Sequence, residues 1–132
     1  ADALGILENH IQATLSLCQS RIDAFYYCPH LPEITGPCSC RKPAPGMLLQ
    51  AAREHAIDLT QSWMIGDRLH DMQAGLAAHT RCIKLAGDPR EDSASEALGC
   101  TVVQTLLEAA RIITAQQLLP PSSETALKPA KT

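Results

Sequence analysis

Cys28-Pro-His30 and Cys38-Ser-Cys40 put three thiols and an imidazole into one short stretch, and Arg41-Lys42 and a Pro-x-Pro-Gly turn follow at once. Pro29, Pro32, Gly36 and Pro37 make this stretch a turn-rich excursion with no apolar core of its own. Three thiolates and one imidazole satisfy tetrahedral zinc and leave no open position, which is the pattern of a structural site. Donors this soft exclude magnesium and calcium as occupants. The zinc loop, residues 28–40, would hold Arg41 and Lys42 at fixed positions. The planar guanidinium and the point-like ammonium would together make an anion clamp.

Six cysteines in 132 residues could also suggest disulfides. Half of them group with His30, however. Cys18, Cys82 and Cys100 are scattered in apolar surroundings, where lone cysteines behave as small hydrophobes. With no signal-peptide pattern at the N-terminus, a reducing, cytoplasmic setting and a metal site are the expectation. The net charge of -3 carries no basic run, which argues against nucleic acid. No apolar segment approaches the ~20 residues that span a bilayer. A monomer is expected.

Periodicity outlines the rest. Leu4, Leu7, Ile11, Leu15 and Cys18 mark one face of a helix over residues 3–20. The β-branched and aromatic run Ile22–Tyr27 predicts a strand. A helix resumes after Pro45-Gly46 with Met47, Leu48, Ala51 and Ala52 on one side. Residues 62–67 and 81–87 predict strands, with a helix over 71–79 between them. Residues 88–95 are polar, contain Pro89 and predict a loop. A strand over 101–103 and a helix over 106–118 complete the ordered part, and the Pro/Ser/Thr/Lys-rich residues 120–132 predict a disordered tail. Alternation of this kind predicts an α/β fold with a parallel sheet, whose sites gather at the carboxyl ends of the strands.

Asp67 stands at such an end, after Gly66, with Asp71 four positions on. A carboxylate there suits magnesium, which takes one or two carboxylates with waters and phosphate oxygens. Arg68 could reach the same anion. Asp71 reads equally well as a first-turn helix acid. His10, His55 and His79 read as surface or packing residues, His70 lies inside the acidic loop, and Trp63 reads as core.

"CPH…CSCRKPAPGML" and "MIGDRLHDMQAG" together resemble the haloacid dehalogenase-like (HAD) phosphatases, and among them the D,D-heptose 1,7-bisphosphate phosphatases; the histidinol-phosphate phosphatases are the sibling group. The resemblance runs from about Asn9 to Gly87. It implies zinc on Cys28, His30, Cys38 and Cys40. It implies phosphoryl stabilisation by Lys42, substrate contact by Arg41 and Arg68, a magnesium ligand in Asp67 and support from Asp71. The reaction it implies removes the 7-phosphate of a phosphorylated sugar through an aspartyl-phosphate. Histidinol phosphate as the substrate, or a non-catalytic zinc-stabilised module that binds a phospholigand or a protein, are the alternatives.

The family's Asp-x-Asp nucleophile motif and its Thr/Ser-Asn motif are both absent from these 132 residues. The expected architecture is therefore a three-layer Rossmann-like HAD core with a parallel sheet, incomplete at the N-terminus. Residues 1–119 would be the C-terminal portion of the phosphatase domain, a fragment inactive by itself. The resemblance places two further strands between Ile22–Tyr27 and residues 62–67.

Overall fold

A computed structural model describes residues 3–30 and 32–118. Three helices precede the sheet: α1 (Ala3–Ser16), the single turn α2 (Pro32–Thr35) and α3 (Gly46–His55). The remainder alternates regularly: β1 (Trp63–Gly66), α4 (Leu69–Ala77), β2 (Arg81–Leu85), α5 (Pro89–Ala97), β3 (Thr101–Val103) and α6 (Leu106–Leu118). The strands pair in parallel in the order β1-β2-β3, with Trp63 opposite Arg81 and Ile83 opposite Thr101.

Side chains of a strand alternate between the two sheet faces, and both faces are covered here. On one side Met72 and Leu76 of α4 pack with Met64, Cys82 and Cys100. On the other, Ala109, Ile112 and Ile113 of α6 pack with Trp63, Ile65, Ile83, Leu85 and Val103. Gly75 is required by this packing. A Cβ there would lie 2.6 Å from the Cys82 sulfur and 2.8 Å from Met64 Cβ. Helix–sheet–helix layering of this kind is the expected α/β core.

Four expectations are corrected. Ile22–Tyr27 forms no strand. Its β-branched and aromatic residues favour extended backbone, but a strand also needs a neighbour to complete its ladder, and the described sheet runs only from β1 to β3. Residues 88–95 belong to a helix, not a loop. Asp88 caps it by accepting the Arg90 N–H at 2.8 Å, Pro89 occupies the first turn, and Glu91 and Asp92 are its early acids. Cys18 is exposed rather than apolar-packed, whereas Cys82 and Cys100 are buried as expected, and all six cysteines are free thiols. Helix α1 also stops at Ser16, short of residue 20. The expected tail over 120–132 lies outside the described residues. Among those residues, no helix is long and apolar enough to cross a membrane.

Candidate phosphate and metal site

The loop between Ile22 and α3 brings its four donors together. Cys28, His30, Cys38 and Cys40 are half-buried, and one ligand atom of each lies within 4.8 Å of all the others. Cys28 Sγ is 3.4 Å from His30 Nδ1, 3.5 Å from Cys38 Sγ and 2.9 Å from Cys40 Sγ. Zn–S bonds of about 2.3 Å imply ligand edges of about 3.8 Å, so the four atoms converge as a tetrahedral set does. The thiols of Cys38 and Cys40 fit a cation as well. Hydrogen bonding to Cys28, burial and Cys38 push the Cys40 thiol up to about 12. Burial raises Cys38 too, but hydrogen bonds from Cys40, Cys28 and the backbone of Arg41 and Cys40 outweigh it and bring it down to about 7. Three crowded thiols cannot all ionise without a positive charge among them, which a bound metal supplies. The donor set fits zinc.

Two contacts join the loop to its neighbours. Arg41 donates from Nη1 to the His30 carbonyl at 3.0 Å, so its guanidinium braces the backbone of a ligand residue. The Gly46 N–H, at the first position of α3, donates to the Ser39 carbonyl at 2.9 Å. A Cβ on Gly46 would stand 2.1 Å from that carbonyl oxygen, so this junction requires glycine. The Lys42–Pro43 peptide bond is cis.

Lys42 reaches across to α4. Its Nζ donates to Asp71 Oδ1, while Asp71 Oδ2 accepts the Arg68 N–H at 3.1 Å. Asp71 is thus a first-turn acid of α4 that also pairs with Lys42. Asp71 comes this close only because residue 66 is glycine: a Cβ there would lie 2.4 Å from the Asp71 carboxyl group. Tyr27, Arg41, Lys42, Asp67, Arg68, His70 and Asp71 share one open cavity of about 520 Å³, beside Cys28. Asp67 projects from the end of β1 and is exposed there. As an exposed carboxylate on a polar cavity it fits one magnesium ligand position, with waters, phosphate oxygens or other carboxylates for the rest.

A larger recess of about 820 Å³ lies between Arg21–Tyr26 and α3, lined by Gln12, Ile22, Ala51, His55 and Ile57. It holds no cluster of cations, and the chemistry-bearing side chains face the smaller cavity.

Arg68 departs from expectation in one respect. It lines the cavity, but its guanidinium is engaged by Glu91 of α5, from Nη2 at 3.0 Å and from Nε at 3.2 Å. Sequence reasoning missed Glu91 because residues 88–95 were read as a loop. The Asp88-Pro89 helix start was the signal that could have found it. Lys84, fully buried and paired with Asp92, was missed for the same reason.

Comparisons with known proteins bear on the family and the fold. The sequence model of the HAD-hydrolase-like family matches residues 39–109. A D-glycero-beta-D-manno-heptose-1,7-bisphosphate 7-phosphatase from Photorhabdus laumondii is 48% identical over 83 residues, 58% of this chain and 44% of that protein. The enzyme of the same name from Escherichia coli K12 is 41% identical over 103 residues, 73% of this chain and 53% of that protein. The chain thus spans about half the length of the curated relatives it matches. Among solved structures, D,D-heptose 1,7-bisphosphate phosphatase from B. bronchiseptica, complexed with magnesium and phosphate, superposes with a TM-score of 0.71 at 28% identity; the match covers 86% of this chain and 64% of that one.

Proposed function

The chain belongs to the HAD-hydrolase-like family, and on that footing we propose that it forms the metal-and-phosphate half of a phosphatase that removes the 7-phosphate of D-glycero-D-manno-heptose 1,7-bisphosphate. One observation carries the reading: Cys28 of the zinc-type donor set, the cations Arg41, Lys42 and Arg68, and the strand-end carboxylate of Asp67 border the same cavity.

Each residue has a role that its surroundings support. Asp71, accessible over only 6% of its side chain, holds the Lys42 ammonium toward the cavity. There the ammonium meets the phosphoryl group and stabilises charge that builds on its oxygens during transfer. Arg41, braced on the zinc loop, contacts the distal part of the substrate. Asp67 holds magnesium, which when bound neutralises phosphate oxygens. Cys28, His30, Cys38 and Cys40 hold zinc, whose closed coordination supplies rigidity rather than reaction chemistry. The attacking carboxylate is not among these residues. It comes from an Asp-x-Asp strand beside β1, and the reaction proceeds through an aspartyl-phosphate on that strand.

Phosphate release by the intact protein from heptose 1,7-bisphosphate, compared with histidinol phosphate, tests the assignment. Turnover of the heptose ester with a clear preference over histidinol phosphate is the expected result. Equal or faster turnover of histidinol phosphate would transfer the protein to the sibling activity. Tight binding of the heptose ester without release would leave a phospholigand-binding module.

A further inference from the structure

We propose that Glu91 is a positioning residue for the loop that carries Asp67: its carboxylate ties α5 to the first turn of α4 and so sets where Asp67 faces the cavity. The proposal rests on the reading of Asp67 as a magnesium ligand.

Asp67 has no hydrogen bond of its own to hold its carboxylate among the described residues, so its aim depends on the backbone either side. On one side lies Gly66, in register with Lys84 of β2. On the other side, two carboxylates grip consecutive N–H groups. Asp71 takes that of Arg68 at 3.1 Å, and Glu91 Oε2 takes that of Leu69 at 2.8 Å. Glu91 also accepts from the Arg68 side chain at Nε and Nη2. That keeps a mobile cation, with 68% of its side chain exposed, from wandering over the metal position.

Glu91 can act as an anchor because α5 is itself fixed. Its neighbour Asp92 accepts from the fully buried Lys84 ammonium and from the Gly87 N–H at 3.2 Å. Strand β2, helix α5 and the Asp67 loop thereby close a triangle, two sides of it charge-assisted and the third the β1–β2 ladder. The Arg68 guanidinium, then the Leu69 N–H, hold Glu91 down to about 2, so it is ionised whenever the protein is folded at ordinary pH.

The test is calorimetric titration of the intact protein with Mg²⁺ in the presence of inorganic phosphate, on Glu91→Ala, Glu91→Gln and Asp67→Asn. Residues that orient metal ligands typically contribute 10- to 100-fold in affinity. Glu91→Ala should weaken Mg²⁺ binding about tenfold or more. Glu91→Gln should weaken it less, because an amide oxygen still accepts the Leu69 N–H, and Asp67→Asn should abolish it. The Glu91 variants should keep the zinc content of the loop over residues 28–40, which shares no hydrogen bond with Glu91 among the described residues, whereas a generally loosened domain would lose it. Should Glu91→Ala fail to fold, Glu91→Gln carries the comparison by itself. Unchanged Mg²⁺ affinity in the folded Glu91 variants, with Asp67→Asn still impaired, would overturn the role of Glu91 and leave that of Asp67 intact. Unchanged affinity in Asp67→Asn would overturn both.

Discussion

Asp71 is nearly inaccessible to solvent, and a carboxylate so placed must have its charge met by partners. Lys42 and the Arg68 N–H meet it. Both contacts depend on the missing side chain of residue 66. Gly66→Ala would put a methyl group 2.4 Å from the carboxyl atoms, so either β1 or Asp71 must shift. Overpacking of this kind destabilises by roughly 1–3 kcal/mol, and a shifted Asp71 releases Lys42. A lower melting temperature together with weaker binding of inorganic phosphate is expected. Unaltered phosphate binding in Gly66→Ala would mean that Asp71 does not aim Lys42. Glu91 makes a pH prediction at the same scale. Its folded value is depressed from 4.5 to about 2, so its contribution to stability is fully present above about pH 4.5 and is lost as pH falls toward 2. Asp92, lowered by Lys84, acts in the same direction. Thermal melts from pH 6 to pH 2.5 should therefore show a shallower acid limb in Glu91→Gln, and an identical limb would assign the acid loss to other groups.

At the scale of elements, the sequence was most legible where one local rule settled the outcome. Pro45-Gly46 opens α3, the Cys-x-His and Cys-x-Cys pairs close a loop, and the short apolar runs within residues 63–66 and 81–85 build paired strands. It misled where the outcome depends on partners. Ile22–Tyr27 has strand-forming residues and no ladder to join. The polarity of residues 88–95 concealed a helix because its buried contacts are ionic: Ser95 apart, α5 buries no residue and docks by Asp92 on Lys84. Periodicity counts apolar side chains and cannot register that. The zinc loop offers the test proper to this scale. Metal analysis after purification without chelator should find about one zinc per chain. Cys40→Ser or a strong chelator should release it and weaken phosphate binding, since Lys42 follows the loop directly. Gly46→Ala, which drives a methyl group into the Ser39 carbonyl, should reproduce part of this loss with all four ligands intact. Zinc absent from the unmodified protein would remove the loop's share in placing Lys42 and leave its pairing with Asp71 as the remaining hold.

For the molecule as a whole, the sheet decides what the chain can do unaided. Strand β1 forms one end of the described sheet, and its only described partner is β2. Its other edge therefore presents backbone donors and acceptors ready to pair. The recess between Arg21–Tyr26 and α3, of about 820 Å³, is open and larger than the cavity that holds Lys42 and Asp67. Hydrolysis through a covalent aspartate needs a carboxylate in line with phosphorus, opposite the leaving oxygen. Asp71 is occupied by Lys42 and Arg68, and on the proposed reading Asp67 is committed to magnesium, so neither carboxylate of the cavity is free to attack. The 132 residues assayed by themselves should bind phosphate and release none from heptose 1,7-bisphosphate. Mixed with a separate polypeptide carrying an Asp-x-Asp strand from a full-length relative, they should gain turnover, and that turnover should vanish on Lys42→Ala, because the ammonium contributes several kcal/mol of transition-state stabilisation in such sites. Release of phosphate by the 132 residues without any second polypeptide would instead require a nucleophile within them, with Asp67 the first to examine, and would end the division of labour argued for this cavity.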